Sequence, residues 1–136
     1  LGFTHYWRGQ RVITDAALAD IKTIIETSGI PITGAYGVEG TEPILTDDLI
    51  SFNGVGDDAY ETLYISTVED GFGCCKTARK LYDPVVCATL LRIKEDSPDF
   101  KIASDGEWDA ADEWGAGRDL FEAALWREST GTLDND

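Results

Sequence analysis

The sequence predicts an α+β domain, a small and mostly antiparallel sheet with helices packed on one face, in the order β-α-β-β-α-β-α. Apolar residues recur at helical spacing in three segments, and short runs rich in β-branched and aromatic residues lie between them. The length points the same way: 136 residues fall in the one-domain range, and such a domain buries roughly two-thirds of the surface its unfolded chain exposes. Residues 1–128 are expected to form this domain and the acidic residues 129–136 to fray.

The first element is a strand from Gly2 to Arg8, in which Phe3, His5 and Trp7 share one face and Thr4, Tyr6 and Arg8 the other. From Asp15 the pattern turns helical. Leu18, Ile21, Ile24 and Ile25 make an apolar stripe, Thr14 or Asp15 can cap its start, and Gly29 ends it. Pro31 to Pro43, with three glycines and two prolines, reads as a loop or irregular strand. Leu49–Asn53 and Thr62–Val68 are strands, and the connection Gly54-Val55-Gly56-Asp57-Asp58 suits an antiparallel hairpin. Gly71 and Gly73 break the chain. Asp83-Pro84 signals a helix start, with Asp83 as N-cap and Pro84 at the first helical position, where a missing N–H costs nothing. The helix from Val85 to about Glu95 is apolar on most sides and should be the buried centre. Phe100–Ala103 reads as the last strand, Ser104-Asp105-Gly106 as a turn, and Gly117–Trp126 as a terminal helix.

Twenty-six acids against eleven bases leave a net charge of −15, which disfavours nonspecific adhesion to nucleic acid or to an anionic membrane. Solubility or adaptation to salt accounts for such a charge. Mimicry of nucleic acid would want a periodic carboxylate array, and the acids are spread along the chain. No apolar run approaches the length of a membrane span. Cys74, Cys75 and Cys87 are odd in number and lack CxxC spacing, which points to a reducing cytoplasm, the host's if the protein is viral. They read as small buried apolar side chains, with a reactive thiol at Cys74 or Cys75 beside Lys76 as the alternative. No metal site is predicted. His5, the only histidine, has no ligand spacing to these thiols, and the acidic stretch Ser104–Asp109 with Asp112 and Glu113 does not fit a calcium loop. The sequence has no Walker loop, no GxGxxG after a strand and no GxSxG elbow, so no cofactor is expected and no residue is assigned as catalytic.

Positive charge concentrates in one segment. Lys76, Arg79 and Lys80 lie within five residues, beside Thr77 and Tyr82. They read as an anion pocket in which ammonium and guanidinium groups hold a phosphate and Thr77 adds a hydroxyl; the alternative is that they neutralise neighbouring carboxylates. His5-Tyr6-Trp7-Arg8 adds an imidazole, a phenol, an indole and a cation, of which alternation lets either His5 with Trp7 or Tyr6 with Arg8 serve one site. Asn53-Gly54 is either a turn signal or a ligand contact.

Four blocks carry a resemblance: Gly2-Phe3-Thr4-His5-Tyr6-Trp7-Arg8, then Asp47 to Gly54, then Cys75-Lys76-Thr77-Ala78-Arg79-Lys80-Leu81-Tyr82-Asp83, and Ser104-Asp105-Gly106-Glu107-Trp108. Together they resemble a family of small proteins encoded by phages and bacteria, for which no activity is established. The doubled Cys74-Cys75, and Leu81 where a proline would be expected, depart from that pattern. The resemblance implies a phage-type setting.

The leading expectation is binding and sequestration of a small phosphate-bearing nucleotide derivative, which in a viral protein would serve counter-defence. Arg79 and Lys80 would pair with phosphate and Lys76 would add charge. His5, Trp7 or Tyr82 would contact base or sugar, and Arg8, Asn53 and Thr77 would complete the site. A homodimer is one arrangement in which such a site is shared. Two alternatives stand beside it: a phosphoester-cleaving enzyme with His5 as general acid or base, and an acidic, noncatalytic inhibitor of a basic protein partner.

Overall fold

A computed structural model describes residues 2–134 and has the expected α+β class. Along the chain run β1 (Thr4–Arg8), α1 (Asp15–Ser28), β2 (Ile44–Leu45), β3 (Leu49–Phe52), β4 (Leu63–Ser66), β5 (Gly73–Lys76), α2 (Asp83–Glu95), β6 (Lys101–Ser104) and α3 (Trp114–Leu125). The strands divide between two antiparallel sheets, ordered β5-β1-β6 and β2-β3-β4.

Local chemistry explains most boundaries. Thr14 caps α1 by accepting the Ala17 N–H at 3.0 Å, and Gly29 ends it in the left-handed conformation, while Ala17, Ile21 and Ile24 face the core. The three helices pack on one another, and α2 is buried continuously from Val85 to Ile93. Gly117 of α3 lies so close to α2 that a Cβ there would sit 2.4 Å from the Cβ of Cys87. The alternation in β1 holds as read: Phe3, His5 and Trp7 are buried while Arg8 is exposed.

Two features differ from expectation. β5 forms although Gly71 and Gly73 look like breakers, because pairing with β1 fixes it: Thr4 lies opposite Lys76 and Trp7 opposite Gly73. Residues 129–134, expected to fray, are tied down. The Asp134 N–H donates to the Ile102 carbonyl at 2.7 Å, and its carboxylate accepts from the Ile102 N–H at 2.9 Å and from Lys94 Nζ at 2.6 Å. That clasp covers the outer edge of β6, which would otherwise offer unpaired backbone groups. Residues 135–136 lie outside the described residues. Among those described, no helix is long and apolar enough to cross a membrane.

Candidate functional site

Beneath β1, three segments distant in sequence meet in a buried polar network. His5 Nε2 lies 2.6 Å from Asp83 Oδ1, and Nδ1 lies 2.7 Å from Ser104 Oγ. Thr77 donates its hydroxyl to the same Asp83 oxygen at 2.5 Å. The Gly106 N–H and the Trp114 Nε1–H both point at Ser104 Oγ, at 2.8 and 2.9 Å. A carboxylate only accepts, so the His5 Nε2 that faces Asp83 carries a proton and donates it. Asp83 stands in the first turn of α2, where the positive end of the helix dipole favours a carboxylate. It is therefore not the N-cap the sequence suggested; Tyr82 takes that position, and the Asp83 side chain turns inward to His5 and Thr77.

The serine–histidine–carboxylate order looks like a nucleophile relay, but His5 has no exposed surface and Asp83 only 4%. No substrate reaches that imidazole in this conformation. Ligand atoms of His5, Asp83 and Cys87 also gather within 4.8 Å of one another, with Cys87 Sγ 3.6 Å from His5 Nε2. A tetrahedral ion would hold the imidazole nitrogen and the carboxylate oxygen about 3.3 Å apart, whereas the two are in direct contact at 2.6 Å. Burial, reinforced by Asp83, pushes the Cys87 thiol well up. Burial likewise pushes the Cys75 thiol up to about 12, so Lys76 does not activate it. Cys74 is exposed rather than buried as expected.

Of the expected anion pocket, Thr77, Arg79 and Tyr82 take structural roles, while Lys76 and Lys80 are in no ion pair among the described residues. The Arg79 guanidinium is held by Glu113 Oε2 at 2.8 Å and lies over the Phe3 ring at 4.2 Å. Lys76 lies over the Tyr60 ring at 5.6 Å, and Lys80 has no side-chain partner among the described residues. Thr77 and Tyr82 are fully buried, and the hollow beside Tyr82 measures about 10 Å³, room for about one water. Asn53 is buried and pins the β3–β4 connection: its carbonyl oxygen accepts from Gly54 and Tyr60 N–H, and its amide donates to the Tyr60 carbonyl and Thr62 Oγ1. His5, Asn53, Thr77 and Tyr82 thus hold the fold, and as placed none of them presents a surface to a nucleotide.

Arg8 is exposed and leads to the outer face of the β5-β1-β6 sheet. Register sets Arg8 directly across from Lys101 and Tyr6 across from Ala103, while the Trp7–Gly73 pair places Phe72 at the same end of the sheet as Arg8. The Tyr6 and Phe72 rings lie 5.9 Å apart at 31°, and Phe72 is 70% exposed. These residues, with Trp7, Ala103 and Asp134, line a groove of about 540 Å³, a volume suited to a small ligand. Five of the eleven cations, Arg79, Arg92, Lys94, Arg118 and Arg127, are in ion pairs. Arg8 and Lys101 are in none among the described residues, although like charges directly across a strand pair repel. Sequence reasoning offers Tyr6 with Arg8 but misses Phe72 and Lys101, because register, not spacing, brings those two beside them. The signal available was that Tyr6 and Arg8 share the strand face opposite the core.

No family model, no curated protein and no solved structure matches this chain.

Proposed function

We propose that this chain is a noncatalytic binder of a small phosphate-bearing nucleotide derivative, held on the outer face of the β5-β1-β6 sheet. The observation that carries the reading is the Arg8–Lys101 pair, two exposed cations in no ion pair among the described residues, set opposite each other in a chain of net charge −15 beside two accessible aromatic rings, with the Asp134 carboxylate, already bonded to Lys94, at the edge of the groove. An anion between them relieves their repulsion and accepts charge-assisted hydrogen bonds from both. The Tyr6 and Phe72 rings supply a surface on which a flat ring stacks. The enzyme alternative needs His5 in contact with substrate, and both imidazole nitrogens are engaged in the core. A binder without a reachable acid or base returns its ligand unchanged, which is what sequestration requires.

Calorimetry with adenosine monophosphate on the wild type and on the Arg8→Ala/Lys101→Ala variant tests this. Each charge-assisted hydrogen bond contributes about 1.5–3 kcal/mol, so losing one cation should weaken binding by roughly ten- to a hundredfold and losing both by more. Chromatography should recover intact nucleotide. Equal affinity in the variant, or release of a cleaved product, would defeat the reading.

A further inference from the structure

A second hollow, of about 260 Å³, adjoins the groove and shares Trp7 and Phe72 with it as walls. Its chemistry differs from that of the cationic groove. Trp7 is 3% exposed, yet its indole N–H has no hydrogen-bond partner among the described residues. That nitrogen lies against Gly73, where any Cβ would sit 2.5 Å from it, and Gly73 lines the same hollow. Glycine leaves this edge of the indole uncovered. Around it stand Glu69 and Asp70, whose carboxylates form no hydrogen bond or ion pair among the described residues, and the exposed faces of Tyr64 and Phe72. Arg11 closes the floor, with its guanidinium already donating to the Gly9 and Gly71 carbonyls.

An N–H donor on a largely buried side chain, open to the hollow and without a partner among the described residues, next to carboxylate acceptors and between aromatic faces, is complementary to one kind of flat group. That group carries a ring-nitrogen acceptor beside an amino donor, the edge presented by adenine. A keto base turns a carbonyl oxygen toward the negative carboxylates and sets a ring N–H against the indole N–H, so it is disfavoured by repulsion between like partners. Building on the nucleotide reading above, we infer that the hollow beside Trp7 is a base subsite selective for an amino-substituted nucleobase, with the phosphate of the same molecule at Arg8 and Lys101.

The test is calorimetry of the full chain with adenosine monophosphate and with inosine monophosphate, which replaces the amino group by a carbonyl and the neighbouring ring acceptor by an N–H. The wild type should bind the adenosine compound at least tenfold more tightly. In the Glu69→Gln/Asp70→Asn variant, whose changed side chains are exposed and whose fold circular dichroism checks, the gap should shrink to less than threefold. Equal affinities in the wild type, with both weakened by Arg8→Ala, would overturn the base subsite and leave the anion site standing. A gap that persists undiminished in the variant would overturn the role of the carboxylates. Absence of binding by either nucleotide, in wild type and variants alike, would remove the nucleotide reading together with the inference.

Discussion

Replacing Asp83 with alanine removes the oxygen that two buried donors share, the His5 Nε2–H at 2.6 Å and the Thr77 hydroxyl at 2.5 Å. Each buried donor left unpaired costs about 1–3 kcal/mol, so the expected loss is roughly 4 kcal/mol, a large part of the 5–15 kcal/mol that typically holds a domain together. At roughly 4 °C per kcal/mol for a domain of this size, Tm should fall by about 15 °C. Asp83→Asn keeps a carbonyl oxygen for both donors and forgoes only the charge-assisted part of the bonds, about 1–2 kcal/mol. Urea unfolding followed by circular dichroism at neutral pH separates the two variants. A loss below about 1 kcal/mol in Asp83→Ala, or indistinguishable values for the two variants, would refute the claim that this network joins β1 to α2. Because the network is sealed from the groove, folded Asp83→Asn should also retain nucleotide affinity.

Acid should loosen the C-terminal clasp. Burial alone would raise the Asp134 carboxyl, but bonds from Lys94 and the Ile102 N–H hold it below its usual value; Glu95, with Arg127 and the Thr130 N–H, is likewise lowered against its burial. A carboxyl lowered by folding contributes stability that is complete above the ordinary carboxylate value, about pH 4, and is lost as pH falls through the lowered value. Urea midpoints measured downward from pH 7 should therefore drop in the acid range, less steeply in Asp134→Asn. Trp126 ends α3 with φ 62° and is 91% exposed, so Trp126→Gly should remove backbone strain and raise stability by about 1 kcal/mol, read as a higher Tm. Gly73→Ala places a methyl against the packed Trp7 indole and should cost about 1–3 kcal/mol while weakening base selectivity, read by urea unfolding and calorimetry.

What was readable from the sequence follows the range of the interactions. α1 was read with its start and its end because Thr14, the apolar stripe and Gly29 act within a few residues of one another. β1 was read because its alternation repeats the period of a strand. β5 is not legible because its four residues, Gly73 to Lys76, have little strand propensity of their own and take their form from β1. The sequence marks Asp83 as a helix start but not its inward role, since its partner His5 lies 78 residues away. The same limit governed the site. The Lys76–Lys80 cluster was conspicuous in sequence, yet Glu113 and the Phe3 ring take up Arg79. Arg8 and Lys101, 93 positions apart by number, become neighbours only through strand register.

The central claim is that the outer face of the β5-β1-β6 sheet binds an anionic nucleotide. Titrating isotopically labelled protein with adenosine monophosphate, and following the backbone amide signals by nuclear magnetic resonance, tests it residue by residue. The account predicts saturable shifts largest at Tyr6, Arg8, Phe72, Lys101 and Ala103, extending to Glu69 and Asp70, and abolished in Arg8→Ala/Lys101→Ala. Shifts centred on Lys76 to Tyr82, or none at millimolar nucleotide, would contradict it.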